Sequence, residues 1–322
     1  MPPLVLVITG PTATGKTAVG VRLAQAVDGE VVSADSMQIY RMMRIGTAAP
    51  TSEETCGVPH HMIGCVSPFE PYSAARYVTE AAACCDDILS RGKIPVIVGG
   101  TGLYIDALLA GREFAREGDP ALRKHLNLEY DEAGGPAMLA RLASFDPDTA
   151  ARLHPNDRKR IIRALEVHTL TGTTLAEHDR ASRQIPPRYE SLRFALTFSR
   201  RQDLYDRIDR RVDRMMEDGL ADEVRSLLAQ GLTSAHTAMQ AIGYKELAAA
   251  ITEGSSLGEA VEAIKRESRR YAKRQLSWLR RDASLHWIAW DGNPAPDEAA
   301  RQIAGLYYHL TGKEPPCKEA TH

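Results

Sequence analysis

No stretch of the sequence approaches the ~20 consecutive apolar residues that a membrane-spanning helix needs, and the first residues lack the basic, apolar and small-residue order of a secretory signal. The expectation is a cytoplasmic protein without a membrane partner. Cysteine is scarce: five residues, an odd number, fit reduced thiols better than a disulfide framework. An excess of one charge is missing too. Lys and Arg total 40 against 42 Asp and Glu, so nothing in the overall balance advertises a polyanionic partner. Internal repeats are absent as well.

What is present is ordinary for a globular chain: 322 residues, 43% hydrophobic and 25% charged, enough for a substantial core with a smaller accompanying domain. The even charge balance conceals one local stripe. Lys265 to Arg281 (KRESRRYAKRQLSWLRR) holds eight Lys or Arg and a single Glu. Such a run is either a solvated helix face or a surface for phosphates, and the interleaved Tyr271 and Trp278 favour binding. Cys56, His60, His61 and Cys65 put four potential zinc ligands within ten residues. Adjacent histidines diverge and no second half-site follows, so packing is their expected use.

Leu4–Thr9 has a strand's composition and Thr17–Val27 a helix's apolar spacing. Glu30–Ala34 and Ile94–Val98 read as buried strands that end at Asp35 and at Gly99-Gly100-Thr101-Gly102. From about Gly111 to Pro187 the texture becomes charged and helical, with breaks at Gly134-Gly135-Pro136 and Pro186-Pro187. The expected organisation is an α/β fold: a P-loop NTPase-like parallel-sheet core over 1–110, a helical insertion domain over 111–187, and a return to the core with C-terminal helices over 188–312. The return begins at the strand-like Leu192–Phe198, followed by helical patterns over Arg201–Gln230 and from Gly258 to about Arg281. Residues 313–322 read as a loose tail.

Gly10-x-x-x-x-Gly15-Lys16-Thr17, between the first strand and its helix, matches the P-loop pattern at every fixed position. Backbone N–H groups converge on phosphate oxygens, the helix adds its positive end, Lys16 supplies charge and Thr17 can hold Mg²⁺. The pattern names a phosphate and leaves the reaction open. No acidic residue follows the third strand, where a Walker-type hydrolase holds its metal. The acid lies after the second strand, at Asp35, placed either to cap the next turn or to act as a general base. Asp35-Ser36-Met37-Gln38 also groups several polar atoms, as reading a base edge requires.

GPTATGKT, ADSMQIYR, VPHHMIG, GGTGLY, HPNDRKRIIRALEV, AIGYKEL and YAKRQLSWLRR, in this order and spacing, resemble the bacterial tRNA dimethylallyltransferases (tRNA isopentenyltransferases) from Val5 to about Arg281. The resemblance implies transfer of a dimethylallyl group from dimethylallyl diphosphate to N6 of the adenosine 3′ of the anticodon, with Mg²⁺ as cofactor and tRNA as partner. It implies a diphosphate site at Gly10, Thr12, Ala13, Thr14, Gly15, Lys16 and Thr17, with Asp35 as base and Arg207 on the diphosphate. Arg211, one turn on, is the alternative arginine. By the same resemblance Asp35, Ser36, Met37, Gln38 and Thr101 meet the target nucleotide. Arg123, Arg158, Lys159, Arg269, Arg270, Lys273 and Arg274 are the expected contacts with the rest of the tRNA.

Two positions depart from the family's pattern: Ala49 where Lys is common, and Gly64 where Asp is usual. Alternatives are an adenylate isopentenyltransferase acting on free AMP, ADP or ATP, a P-loop small-molecule kinase and a passive RNA binder. A monomer is the default expectation.

Overall fold

The computed structural model describes residues 2–112, 114 and 118–315. In chain order the elements are β1 (Leu4–Thr9), α1 (Lys16–Val27), β2 (Gly29–Ser33), α2 (Ser52–Thr55), β3 (His60–His61), α3 (Ala74–Ser90), β4 (Ile94–Val98) and α4 (Gly102–Ala110). Next come α5 (Pro120–Ala143), α6 (Pro147–Ala150), α7 (Arg158–Thr171) and α8 (Leu175–Gln184). The chain then forms β5 (Glu190–Phe198), α9 (Arg201–Glu217), α10 (Leu220–Ala229), α11 (Tyr244–Glu253), α12 (Leu257–Leu279), β6 (His286–Trp290) and α13 (Pro296–Thr311).

The strands form one parallel sheet in the order β3-β2-β4-β1-β5-β6. Alternation along β1 divides the core. Val5 and Val7 face a cluster with Tyr77 and Ile88 of α3 and Ile105 of α4, while Leu6 and Ile8 face Val19 and Leu23 of α1 and Ile303 of α13. Burial on both faces explains why β1 and β4 are nearly uninterrupted apolar runs. The connection from β1 leads to β2 on one side of β4, and β5 returns beside β1 on the other. The carboxyl ends of β1 and β4 therefore flank a topological switch point, the expected place for a ligand.

The chain divides into two compact units, 1–109 with 188–322, and Ala110–Pro187. The second unit is helical among its described residues, around a core of Leu126, Met138, Leu142, Ile161 and Leu165. α5 kinks at Gly134, whose φ of 79° is left-handed, just before Pro136. The helical pattern from Arg201 to Gln230 is two helices, because Gly219 takes φ 97° between α9 and α10. β3, β6 and α13 were not expected. Of the expected tail, residues beyond 315 lie outside the described residues.

Candidate active site

Directly after β1, residues 10–17 wrap into a cradle. Gly15 sits at φ 85° and Ala13 at φ 66°, a left-handed conformation that is costly for a residue with a side chain. The loop is held from several directions: Thr14 Oγ1 donates to Pro11 O (2.8 Å), Trp290 Nε1 donates to Thr14 O (3.0 Å), and Thr12 N donates to Gln275 Oε1 (2.9 Å). α1 begins without a side-chain cap and without an acidic residue in its first turn, so its positive end stays uncompensated. Lys16 Nζ donates to Pro11 O (2.8 Å), and burial together with nearby Arg211 lowers its pKa to about 7. A lysine so depressed beside an arginine marks a candidate anion site.

α9 brings two arginines to this loop. Arg207 Nε donates to the Ala13 carbonyl (3.1 Å), with its guanidinium 5.9 Å from the Phe198 ring centre, and Arg211 Nη1 donates to Thr12 Oγ1 (3.3 Å). Burial lowers the pKa of both. Arg211 is coupled to Lys16 and to Asp35, whereas Arg207 braces the loop itself.

After β2, Asp35 Oδ1 accepts from the N–H groups of Met37 (2.9 Å) and Gln38 (3.3 Å), so the carboxylate does cap the turn that follows. One oxygen is engaged; the side chain as a whole still lines the cavity with Lys16 and Thr17. Ser36 N donates to Thr101 Oγ1 (3.1 Å), tying the β2 exit to the β4 exit. The Gln38 amide is fully used inside the protein: it accepts from Ser33 Oγ (3.0 Å) and donates to the Thr47 and Ala48 carbonyls (3.2 Å each). In this arrangement Gln38 braces a loop and presents no free amide edge.

The loop after β4 has glycines because neighbours leave no room for Cβ. At Gly100 it would lie 2.2 Å from Gln275 Nε2, and at Gly102 it would lie 2.4 Å from the Trp278 ring. Gln275 thereby spans two loops, accepting from Thr12 N and donating to Gly100 O (2.9 Å). Burial raises the pKa of neighbouring Tyr271 to about 12. The resulting cavity, about 1030 Å³, is lined by the cradle, Asp35, Tyr271, Gln275 and Arg207, Arg210, Arg211 and Arg214 of α9. That lies at the upper limit for a small-molecule site and leaves room for two reactants.

The family signature described as IPP transferase matches residues 38–282, and that of isopentenyl transferase matches residues 3–62. A tRNA dimethylallyltransferase of Desulforudis audaxviator is 48% identical over 307 residues, covering 95% of this chain and 98% of the relative. The chain belongs to the IPP transferase family. "tRNA dimethylallyltransferase 1" of Citrifermentans bemidjiense is 46% identical over 289 residues, 90% of this chain and 93% of the relative. Among solved structures, a Bacillus halodurans tRNA isopentenylpyrophosphate transferase superimposes with TM-score 0.71 at 40% identity, over 96% of each chain. A eukaryotic dimethylallyltransferase acting on tRNA gives TM-score 0.80 at 29% identity, covering 98% of this chain and 81% of that one.

Within this IPP transferase the cradle, Asp35, Thr101, Arg207 and Arg211 lie together, and so do residues the sequence did not single out. Glu223 accepts from the N–H groups of Arg44 (2.9 Å), Ile45 (3.0 Å) and Gly46 (3.3 Å) and from the Tyr244 hydroxyl (2.5 Å), fixing one wall of the cavity. AIGYKEL contained the Tyr244 signal; no local pattern marks Glu223. The basic stripe is partly neutralised, since Arg269 pairs with Asp209 (2.5 Å), Lys265 with Asp213 (2.7 Å) and Arg270 with Glu267 (2.6 Å). Lys273 and Arg274 stay exposed.

In the second unit Arg123 and Arg163 grip Glu166, which is 0% exposed, and Arg158 forks onto Asp131 (2.5 and 2.8 Å), while Lys159 is exposed. His61 Nε2 pairs with Glu30 (2.8 Å) and His60 Nδ1 with the Val58 carbonyl (2.8 Å); no group of three His, Cys, Asp or Glu among the described residues is arranged to hold a metal.

Proposed function

We propose that this chain transfers a dimethylallyl group from dimethylallyl diphosphate to N6 of the adenosine 3′ of the anticodon of tRNA, releasing diphosphate. The observation behind this reading is the convergence of Lys16, Arg211 and Asp35 on one cavity large enough for both reactants. The relatives' names supply the reaction class.

The cradle N–H groups, Lys16 and Arg211 stabilise the diphosphate as the bond to C1 of the prenyl group breaks and negative charge accumulates on the departing oxygen. Arg207 keeps the Ala13 carbonyl turned away from that charge. The exocyclic amine of adenine is a weak nucleophile, and Asp35 orients it through a hydrogen bond and then takes its proton. The turn bonds on Oδ1 leave the second carboxylate oxygen for this task. Ser36, Met37 and Thr101 border the place of the base, and Thr101 is held there by Ser36 N. In a single-stranded loop, flipping the base out costs only a few kcal/mol.

Mg²⁺ fits the donor set. The Thr17 hydroxyl lines the cavity, and an ion that keeps its waters and arrives with a diphosphate needs no more from the protein than this one oxygen. When bound, it neutralises diphosphate charge. Arg123, Arg158, Lys159, Arg269, Arg270, Lys273 and Arg274 are assigned to the tRNA backbone, with Lys273 and Arg274 the most available. No helix among the described residues is long and apolar enough to cross a membrane; a tRNA substrate supports a cytoplasmic reaction.

Incubation with labelled dimethylallyl diphosphate, Mg²⁺ and unmodified tRNA, with AMP and ATP in parallel, tests the assignment. Label on tRNA alone is expected. Label on AMP moves the chain to the free-nucleotide reaction, and ATP turnover without transfer refutes the donor.

A further inference from the structure

We propose that Arg210 and Arg214 form an outer anion subsite that captures the diphosphate donor before Lys16 and Arg211 engage it, an inference that rests on the donor assigned above. Arg207, Arg210, Arg211 and Arg214 recur at the i, i+3, i+4 and i+7 spacing of one helix face, and all four line the cavity. Over that span α9 rises about 10 Å, so the row runs from the cradle outward.

The row has two populations. Arg207 and Arg211 touch the cradle and are half-buried, whereas Arg210 and Arg214 are exposed and have no carboxylate within ion-pair distance among the described residues. Four of the five acids of α9 are engaged elsewhere: Asp203 pairs with Arg200, Asp209 with Arg269 and Asp213 with Lys265, while Asp206 accepts from Gln202; the fifth, Glu217, is exposed at the helix end, three residues beyond Arg214, and forms no ion pair with it. Of the acids lining the cavity, Glu54 closes its own capping box and Glu223 holds the 44–46 backbone. Asp218, one turn beyond Arg214, and Asp35 are the remaining two.

Arg210 and Arg214 are close enough to Arg207 to depress its pKa further, after burial. Like charges gathered without ion-pair partners raise the energy of the free protein, and an arriving anion relieves that cost. A diphosphate head concentrates its charge in one small group that two arginines about a turn apart can share, whereas an RNA strand spreads one charge per nucleotide. Exposed charges act mainly on encounter and its salt dependence; desolvated ones act on the bound state.

Stopped-flow association of dimethylallyl diphosphate, followed by tryptophan fluorescence, to which Trp290 against the cradle contributes, reads this difference. For Arg210→Gln/Arg214→Gln the association rate should fall about three- to tenfold at about 50 mM salt and by less than about twofold at about 500 mM, with dissociation little changed. A control, Arg22→Gln/Arg301→Gln, removes the same charge from α1 and α13 and should associate as wild type. An unchanged association rate, a loss that persists at high salt, a loss shared by the control, or a defect confined to tRNA affinity overturns the proposal. Absence of any donor binding by the free wild-type protein overturns the subsite, while the labelled-transfer assay above decides the donor assignment separately.

Discussion

Asp35 has two oxygens with different duties, and this makes Asp35→Asn an informative change. Asparagine keeps an oxygen for the Met37 and Gln38 N–H groups, so the turn survives, but its amide nitrogen cannot take a proton from N6. Single-turnover transfer should slow about 10²- to 10⁴-fold while tRNA affinity shifts less than about threefold. Equal losses in both would remove Asp35 from the base role. Lys16 gives a prediction in pH. With its pKa held at about 7 in the free protein, a bound diphosphate raises it, so the complex holds more protons above that pH. Diphosphate affinity should therefore be full below about pH 7 and decline as pH rises from there toward the pKa of the complex. Calorimetry at about pH 8 in two buffers of different ionisation enthalpy should register proton uptake, and Lys16→Met should abolish it.

At the scale of elements, Gln275 of α12 joins the cradle after β1 to the loop after β4. Gln275→Ala leaves Thr12 N and Gly100 O without partners in a buried place, which costs about 1–3 kcal/mol. Thermal unfolding should register that loss and the donor KM should rise, and Gln275→Glu, which keeps the acceptor for Thr12 N but puts a carboxylate in the lining of an anion site, should raise the KM at least as far. This bridge was invisible in sequence because its partners are 263 and 175 residues away. The elements themselves divide the same way. β1 and β4 were legible because both faces are buried and their composition says so, and the cradle because its spacing is local. β3 is two histidines held beside β2 and has no apolar run to announce it, and β6 is an edge strand whose apolar run is only four residues long and is exposed at Trp287. The pairing of Arg269 with Asp209 was equally hidden: charge counting found the stripe, but only the packing of α12 near α9 neutralises part of it.

The whole molecule is a core interrupted by a second unit, and the interruption begins and ends at one place. Arg188 N donates to Leu109 O (3.0 Å), so the core's chain ends at the junction already touch. Replacing 112–186 with a Gly/Ser linker of about four residues therefore adds little closure entropy, and the core sheet, its cradle and Gln275 keep all the partners described above. The excised protein should unfold cooperatively and retain inorganic pyrophosphate binding, read by Trp290 fluorescence beside Thr14. Its tRNA affinity should fall and the slope of that affinity against salt should flatten, because the exposed cations Lys124, Lys159 and Arg160 leave with the second unit. Pyrophosphate binding lost together with tRNA binding would mean that the cradle depends on the second unit. An unchanged salt slope would assign the phosphate contacts to Lys273 and Arg274 of the core alone.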